Sequence, residues 1–552
     1  MKKIFLFIST FLFLAVNAQS EHSFKVKNPE QFPTENIQLH YNNELLVTGE
    51  TLYYKIYCFN QNNDFSEYSK IAYLELLSTE NKTIIKQKIK LESGIGFSDL
   101  FINTNIKTGV YKLICYTNWM KNYNNYFEEN VFIVNPFSND IITKNNTSVD
   151  YKINKHSSSK SKISITNKSN YNKREKVILD LNKLNLSSKE HLSISVKRKN
   201  NINLPLKNKQ KAKFKNQLNN NIKFLPELRG NLIQGKIVSK KGSNVTNKSI
   251  SLSINNNHLP LMATTNHNGE FYFNVPYLNT DKIYLQILAP NASEYEIITA
   301  NDTKTKVNSE FPKINLSQDI VNAIKDRTIY AQIKNAYYEV KKDTTSSFNT
   351  NDILLDKRKT TYVLDDYKRF KSLRETFVEI IIKARIRSLN KKYKIIVPSE
   401  DIKTTGFIGN IPSLLIVDGH VVFDHDQFMD FDCSKINKIS IVNRKYCYGN
   451  SIYQGITFIE TFKKDFVPTD NIKQVSVMNI QPKKEYYFEN YNTSSKNRIP
   501  DFRTQLYWNP NIYFKKNINF YTSDVSGNYE VIIEGYSNSG KSIHFTHEFS
   551  VK

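Results

Sequence analysis

The chain has 552 residues and a formal net charge of +25, with 39% hydrophobic residues and a generous supply of aromatics, 33 Tyr and 34 Phe. At roughly 150 residues per domain, that length predicts three or four domains, each with a core of its own. Four cysteines are too few for a disulfide-built scaffold, and Lys dispersed among abundant Asn and Ile reads as solvated surface, not as a nucleic-acid footprint.

At the N-terminus, Lys2 and Lys3 precede an apolar run from Ile4 to Ala15, and Val16-Asn17-Ala18 supplies small residues for a signal peptidase. Residues 1–18 are expected to be a cleaved secretory signal, too short for a stable span. No Cys follows the run, so no lipid anchor is expected, and no later stretch approaches ~18 consecutive apolar residues. In an oxidising compartment Cys58 with Cys115, and Cys433 with Cys447, could each bridge; the alternative is four small apolar side chains.

Residues 21–137 are expected to form a β-sandwich. Leu52–Phe59, Lys70–Leu77, Thr83–Leu91, Val110–Tyr116 and Tyr126–Val134 have strand length and are rich in Ile, Val, Tyr and Phe. Gly94 and Gly96 suit turns that need positive φ. Residues 138–225 are polar, nearly pure Ser/Lys from Ser157 to Lys162, and keep two strand-like runs, Lys176–Leu181 and His191–Val196. They predict a degenerate sandwich or a polar spacer. The basic tract Lys197–Lys215 within them holds one aromatic, Phe214, and reads as a solvated linker, with an anionic lipopolysaccharide surface as the alternative.

Residues 226–310 predict a second sandwich, of seven strands, in which Gln234–Val238, Ser249–Ile254, Phe271–Val275 and Lys282–Leu288 alternate between Asn- and Gly-rich turns. Residues 311–354 predict a helical linker with Ile320, Ile324, Ile329, Ile333 and Tyr337 on one drifting stripe. In residues 355–466, Phe370, Leu373, Phe377, Ile380, Ile381 and Ala384 predict an amphipathic helix preceded by Asp365 and Asp366. Leu414–Val417, Ile436–Val442 and Ile456–Thr461 then return to strands. Residues 467–552 predict a final sandwich from Ile512–Thr522, Asn528–Gly535 and Ser542–Val551. The fold class is thus mainly β and multidomain, several antiparallel sandwiches plus one α+β domain.

Four stretches resemble known families. Glu35 to His40, Gly49 to Lys55, and Gly109-Val110-Tyr111 through Tyr116-Thr117-Asn118-Trp119-Met120 resemble the macroglobulin-type MG2 domain of large Gram-negative envelope proteins. Gly235-Lys236-Ile237-Val238 with Thr265 to Phe273, centred on Gly269, resembles the carboxypeptidase-regulatory-like sandwich. Ser413 to Gly419, Ile436 to Val442, Tyr448-Gly449 and Gly455 to Thr461 resemble the plug domain of TonB-dependent transporters. Asp501-Phe502-Arg503, Leu506-Tyr507-Trp508-Asn509-Pro510, Tyr521 to Asp524 and Gly527-Asn528-Tyr529 resemble the terminal sandwich of the same envelope family, which is of Bacteroidota type. The resemblance implies Trp119, Gly269, Asp418, Gly419, Gly449, Trp508 and Pro510 as structural motif residues. After residue 465 the chain is far shorter than the ~200 residues that a plug's own barrel of about 22 strands needs, so a complete transporter is not expected.

Reactive chemistry is sparse. No Cys-x-x-Gln supports a macroglobulin thioester, no His/Glu ligand module supports a zinc peptidase, and no Ser/His/Asp order stands out; no catalytic residue and no cofactor is expected. His420, Asp424, His425 and Asp426 form the richest ligand-like group, although polar residues are expected in the loop after the Asp418-Gly419 turn in any case. His544 and His547, three apart on a strand, face opposite sides. Asp501, Arg503 and Trp508 are expected to fix the entry to the last sandwich. The implied function is a non-enzymatic interaction or assembly protein of the periplasm or outer membrane, docking on a TonB-dependent (SusC-type) transporter or another outer-membrane β-barrel machine. The alternative is a glycan- or peptide-binding module for nutrient uptake.

Overall fold

The computed structural model describes residues 24–25, 32–138, 164–184, 186, 190–199, 221–254, 259–275, 280–299, 311, 318–346, 359–389, 391–398, 411–468, 471–491, 498–512 and 517–552. The expected secretory signal at 1–18, the Ser/Lys run at 157–162 and most of the basic tract at 197–215 lie outside the described residues. The fold is mainly β, and the chain divides into two units: 1–228, 305–346 and 481–552 in one, 229–304 and 347–480 in the other.

In the first unit, residues 35–134 make a sandwich of two sheets. One has Thr51–Asn60 between Glu35–Tyr41 and Ile95–Phe101, all antiparallel. The other is ordered Leu45–Val47, Phe127–Val134, Gly109–Tyr116, Ile71–Leu77, Thr83–Lys90. Ile71–Leu77 is buried throughout, as a central strand between two layers should be. Gly94 takes positive φ as expected, whereas Gly96 lies within a strand and serves a close approach: a Cβ there would stand 2.7 Å from the Lys90 carbonyl oxygen.

The polar stretch 138–225 and the tail 467–552 are not separate bodies, contrary to their sequence boundaries. Lys176–Asp180 pairs antiparallel with Asn517–Tyr521. Glu190–Arg198 runs between Gln505–Asn509 and Gly527–Ser537, and Ser542–Val551 follows on the far side. Val177, Leu179, Ile194 and Val196 share one core with Leu506, Phe520, Val531 and Phe549. The physical reason is burial: each segment alternates, but neither has enough apolar surface to close a core alone. The expected strand Ile512–Thr522 is likewise shorter, starting at Asn517.

Helix α1, Gln318–Ala336, is packed against the first sandwich and does not act as a free linker. Arg327 clamps Glu50, its Nε donating to Oε1 at 2.9 Å and Nη2 to Oε2 at 2.5 Å, and Nη2 also donates to the Leu45 carbonyl at 2.9 Å. Ile324 joins Leu45, Val47, Val110 and Phe132 in a small core. The expected apolar stripe breaks down beyond it, with Ile329 and Tyr337 exposed.

In the second unit a sandwich of two sheets is ordered Glu270–Val275, Asn231–Ser239, Tyr295–Thr299 and Leu261–Thr264, Ser249–Ser253, Lys282–Ile287, Ile472–Ser476. Its seventh strand therefore comes from far downstream, pairing Lys282–Gln286 with Ile472–Ser476. Beside it is a mixed sheet ordered Lys359–Val363, Ile436–Tyr448, Ser451–Thr461, Leu414–Val417, His420–Val421. Leu414–Val417 runs parallel to Ile456–Ile459 and is buried on both faces. Leu415 and Val417 enter one core, Leu414 and Ile416 another, which explains the unbroken apolar run.

Helix α2 spans only Leu373–Glu379, shorter than the stripe to Ala384 predicts. Ser372, not Asp365 or Asp366, caps it, its hydroxyl accepting from the Glu375 N–H, while the two aspartates sit in a separate 3-10 turn at 364–366. Ile380, Ile381 and Ala384 are buried in the same core without being helical. All four cysteines are free thiols; Cys58, Cys115 and Cys433 are buried and Cys447 is exposed.

Candidate functional site

Asp418 and Gly419 form the two-residue turn between Leu414–Val417 and His420–Val421, at φ 48 and 87, the left-handed pair that a type I′ hairpin needs. The Asp418 carboxylate then reaches across the sheet. It accepts from the Thr461 N–H (2.8 Å), the Thr461 hydroxyl (2.5 Å) and the Phe466 N–H (3.1 Å), pinning the end of Ser451–Thr461. A second turn at Gly449, φ 60, closes the long hairpin of Ile436–Tyr448 with Ser451–Thr461. Gly269, φ 78, leaves no room for a Cβ, which would lie 2.6 Å from the Ile237 carbonyl oxygen.

The four ligand-like residues after that turn do not converge. His420 is buried with its ring edge-on to Tyr284, centroids 4.9 Å apart, and burial lowers its pKa to about 4 against the opposing charge of Asp418. His425 is also buried; its Nδ1 accepts the Ile395 N–H at 3.0 Å, and burial lowers its pKa to about 3. Asp426 accepts the Tyr393 N–H at 2.9 Å. Asp424 caps the turn at 425–428 and pairs with Lys392 at 2.6 Å. Three of the four thus tie their loop to the hairpin Arg385–Leu389/Lys392–Ile396. Among the described residues no group of three or more His, Cys, Asp or Glu is placed to hold a metal ion.

A cluster that the sequence does not announce lies in the first unit, where the sheet of Thr51–Asn60 meets that of Glu190–Arg198. His40 Nδ1 stands 2.6 Å from Ser193 Oγ, and His40 Nε2 stands 3.6 Å from Glu534 Oε2. The order serine, histidine, carboxylate is that of a hydrolase triad, but the ring nitrogens are exchanged, since in the triad Nε2 faces the serine and Nδ1 the carboxylate. Here it has no access: Ser193 is 0% and His40 2% exposed. Ser193 also donates to the Glu534 carbonyl at 3.2 Å and contacts Tyr57 Oη at 3.2 Å. Burial outweighs the Glu534 charge and lowers the His40 pKa to about 4, so the ring is neutral. Lys55, 1% exposed, donates to the Leu192 carbonyl at 3.2 Å and lies 5.0 Å from the Tyr57 ring centroid. Burial lowers its pKa to about 7. Trp508 completes the cluster, 5.2 Å from His40 and 5.9 Å from Tyr53 between ring centroids. The group is a polar joint between two β layers.

Two further networks surround Glu35 and Asp501. Glu35, fully buried, accepts from the Ser66 hydroxyl (2.5 Å), the Ser69 N–H (3.0 Å) and hydroxyl (2.7 Å), and the Thr117 hydroxyl (2.7 Å). Trp119, beside it in sequence to Thr117, donates its indole N–H to the Pro33 carbonyl at 2.8 Å. Arg503 holds Asp501 by two parallel bonds, 2.8 and 2.7 Å, at the entry to the strand Gln505–Asn509, after which Pro510 is buried. Burial alone would raise the Asp501 carboxyl, but the Arg503 charge and hydrogen bonds outweigh it and lower the pKa to about 2. His544 and His547 engage different partners, Glu534 at 2.7 Å and Thr166 at 2.8 Å.

These features define a multidomain β-sandwich protein whose polar clusters are internal. No family model matches the chain and no curated protein matches it. Among solved structures it aligns with the Escherichia coli α2-macroglobulin activated by porcine elastase, at 8% identity over 94% of this chain and 44% of that one, TM-score 0.25. It aligns with Salmonella α2-macroglobulin reacted with methylamine at 7% identity over 94% of this chain and 39% of that one, TM-score 0.22. Dimeric latent PorU from Porphyromonas gingivalis aligns at 9% identity over 94% of this chain and 34% of that one, TM-score 0.15. The chain spans well under half the length of each, and at such scores neither fold detail nor function transfers.

Proposed function

We propose that the chain is an exported, non-enzymatic interaction or assembly protein of a Gram-negative envelope, in the periplasm or at the outer membrane, that docks on an outer-membrane β-barrel protein such as a TonB-dependent (SusC-type) transporter. One observation carries this reading. The stretches that resemble a transporter plug come together in one sheet, with Leu414–Val417 parallel to Ile456–Ile459 and the Asp418 carboxylate bonded to Thr461 at its end. On this reading residues 35–134 are an MG2-like arm, 231–299 a carboxypeptidase-regulatory-like sandwich, and the mixed sheet a plug-like module without its own barrel.

The test is photocrosslinking in intact cells from the exposed positions Tyr367 and Phe462 of the mixed-sheet module, followed by identification of what is attached. A β-barrel protein linked from these positions, and not from Phe137 in the first sandwich, is the expected result. Failure to recover any barrel protein would end the proposal. Capture of glycans or peptides is favoured by one feature, the half-buried aromatic group of Phe65, Tyr536 and His191, with Phe65–His191 centroids 4.8 Å apart and Phe59–Tyr536 centroids 4.9 Å apart. Saccharide or peptide titration that shifts with Phe65→Ala would support that second reading.

A further inference from the structure

Charge is far from even along the chain. From residue 368 to residue 394, Lys and Arg fill ten positions and only Glu375 and Glu379 are acidic, so eight of the +25 net charges fall in 27 residues. The structure folds this stretch into α2 and the hairpin Arg385–Leu389/Lys392–Ile396.

The register sorts the hairpin's faces. Ile386 pairs with Ile395 and Ser388 with Tyr393, and Ile386, Tyr393 and Ile395 pack on the core. The opposite face carries Arg385 across from the buried Ile396, Arg387 directly across from Lys394, and Lys392 across from Leu389. Arg385, Arg387 and Lys392 are exposed. Like charges directly opposed across an antiparallel pair oppose folding, so the Arg387/Lys394 pairing is a cost that the hairpin bears. Asp424 offsets part of it through Lys392, and Asp426 lies close to Lys394. Arg385 and Arg387 have no carboxylate partner among the described residues. In contact with the strand Arg385–Leu389 and just before it in the chain, α2 and the turn after it present Val378 at 72% and Ile382 at 84% exposure, the two most exposed large apolar side chains described.

We infer that this face binds the surface of an anionic lipid bilayer, with the cations against headgroups and Val378 and Ile382 inserted at the boundary with the acyl chains. Adjacent cationic and apolar side chains are the combination that interfacial attachment uses. A basic patch alone would suit any polyanion; two bare aliphatic side chains at its border select an amphiphilic surface. The inference goes beyond docking on a barrel and holds whether or not a barrel partner exists.

The experiment is cosedimentation of the full chain with vesicles of phosphatidylethanolamine and phosphatidylglycerol at three to one, against pure phosphatidylcholine vesicles. The chain is expected to pellet with the first and stay in solution with the second. With each cation near such a surface contributing about 1 kcal/mol, Arg385→Gln/Arg387→Gln should weaken binding roughly thirty-fold. Val378→Ser/Ile382→Ser should weaken it as well, and high salt should act on the wild type more than on the Gln variant. Lys82→Gln/Lys541→Gln removes the same charge from exposed sites elsewhere and should leave binding intact. All substituted side chains are exposed, so unchanged thermal melting will show that folding is preserved. The inference is overturned if the wild type stays in solution with anionic vesicles, if it pellets equally with phosphatidylcholine, or if the Lys82/Lys541 variant loses as much binding as the Arg385/Arg387 variant.

Discussion

Lys55 offers the sharpest quantitative test of the joint in the first unit. Its amine is enclosed between two β layers and pairs with no carboxylate among the described residues; burial lowers its pKa from 10.5 to about 7. Below pH 7 the folded and unfolded chains both carry the proton, and the full penalty of a buried ammonium is present. As pH rises from 7 towards 10.5 the folded chain has released the proton and the unfolded chain still holds it, so stability rises through that window. At about 1.4 kcal/mol for each tenfold change, the drop corresponds to on the order of 5 kcal/mol at pH 7 and below. Lys55→Met keeps the length of the side chain and removes the charge. The Leu192 carbonyl is not orphaned, because it also accepts the Ile512 N–H at 3.1 Å. Urea unfolding followed by tryptophan fluorescence, with Trp508 reporting from the joint itself, should show the variant several kcal/mol more stable at pH 6.5. The gap should narrow steadily to pH 10. His40, whose pKa is lowered to about 4, is neutral in the folded chain throughout this range, so its coupling to Lys55 does not enter the difference. A gap that does not change with pH, or a variant less stable than the wild type at pH 6.5, would refute the reasoning.

Replacing Arg503 by Met leaves the buried Asp501 carboxylate without its two parallel bonds and should cost about 3–5 kcal/mol in denaturant unfolding. Because the Asp501 pKa is lowered to about 2, its contribution is present above pH 3.8 and lost as pH falls towards 2; the Arg503→Met variant should lack that acid-dependent loss. Glu35→Gln is nearly isosteric but turns an amide NH2 towards donors that now find a carboxylate, and should lower the melting temperature through a loss of about 2–3 kcal/mol. Asp418→Ala removes the acceptor of three bonds, and hydrogen exchange should accelerate at the Thr461 and Phe466 amides while amides of Gly527–Ser537 keep their protection.

Much of the strand content was legible because each run alternates or is wholly apolar at strand length, and Leu414–Val417 and Ser542–Val551 fall where that pattern puts them. Pairing was not legible. Nothing local in Lys176–Asp180 states that its partner is Asn517–Tyr521, and the polar composition around it disguises a strand with a real core face as spacer. Periodicity also overstated helix: Ile380, Ile381 and Ala384 recur at helical spacing yet reach the core from a turn, where burial rather than repeat decides. Ser193 and His40 meet only through the stacking of two layers, so a sequence separation of 153 hid the contact. The Asp418-Gly419 turn, by contrast, was readable from two letters, since few residues other than Asp, Asn and Gly accept left-handed backbone.

The shared core of 176–196 with 505–551 bears on when the molecule can fold. During synthesis Glu190–Arg198 emerges more than 300 residues before Gly527–Ser537, the strand it pairs with along its whole length. Until Gln505–Asn509 and Gly527–Ser537 follow, Glu190–Arg198 lacks its neighbour on both edges, and the nascent segment must wait as an unpartnered strand. Contacts of such long sequence separation form slowly, and chains held open in this way are prone to misassociate. A chain cut short before residue 527 would lack Gly527–Ser537 and Ser542–Val551, two strands of the sheet that walls this core, whereas its first sandwich, complete by Val134, could already have formed.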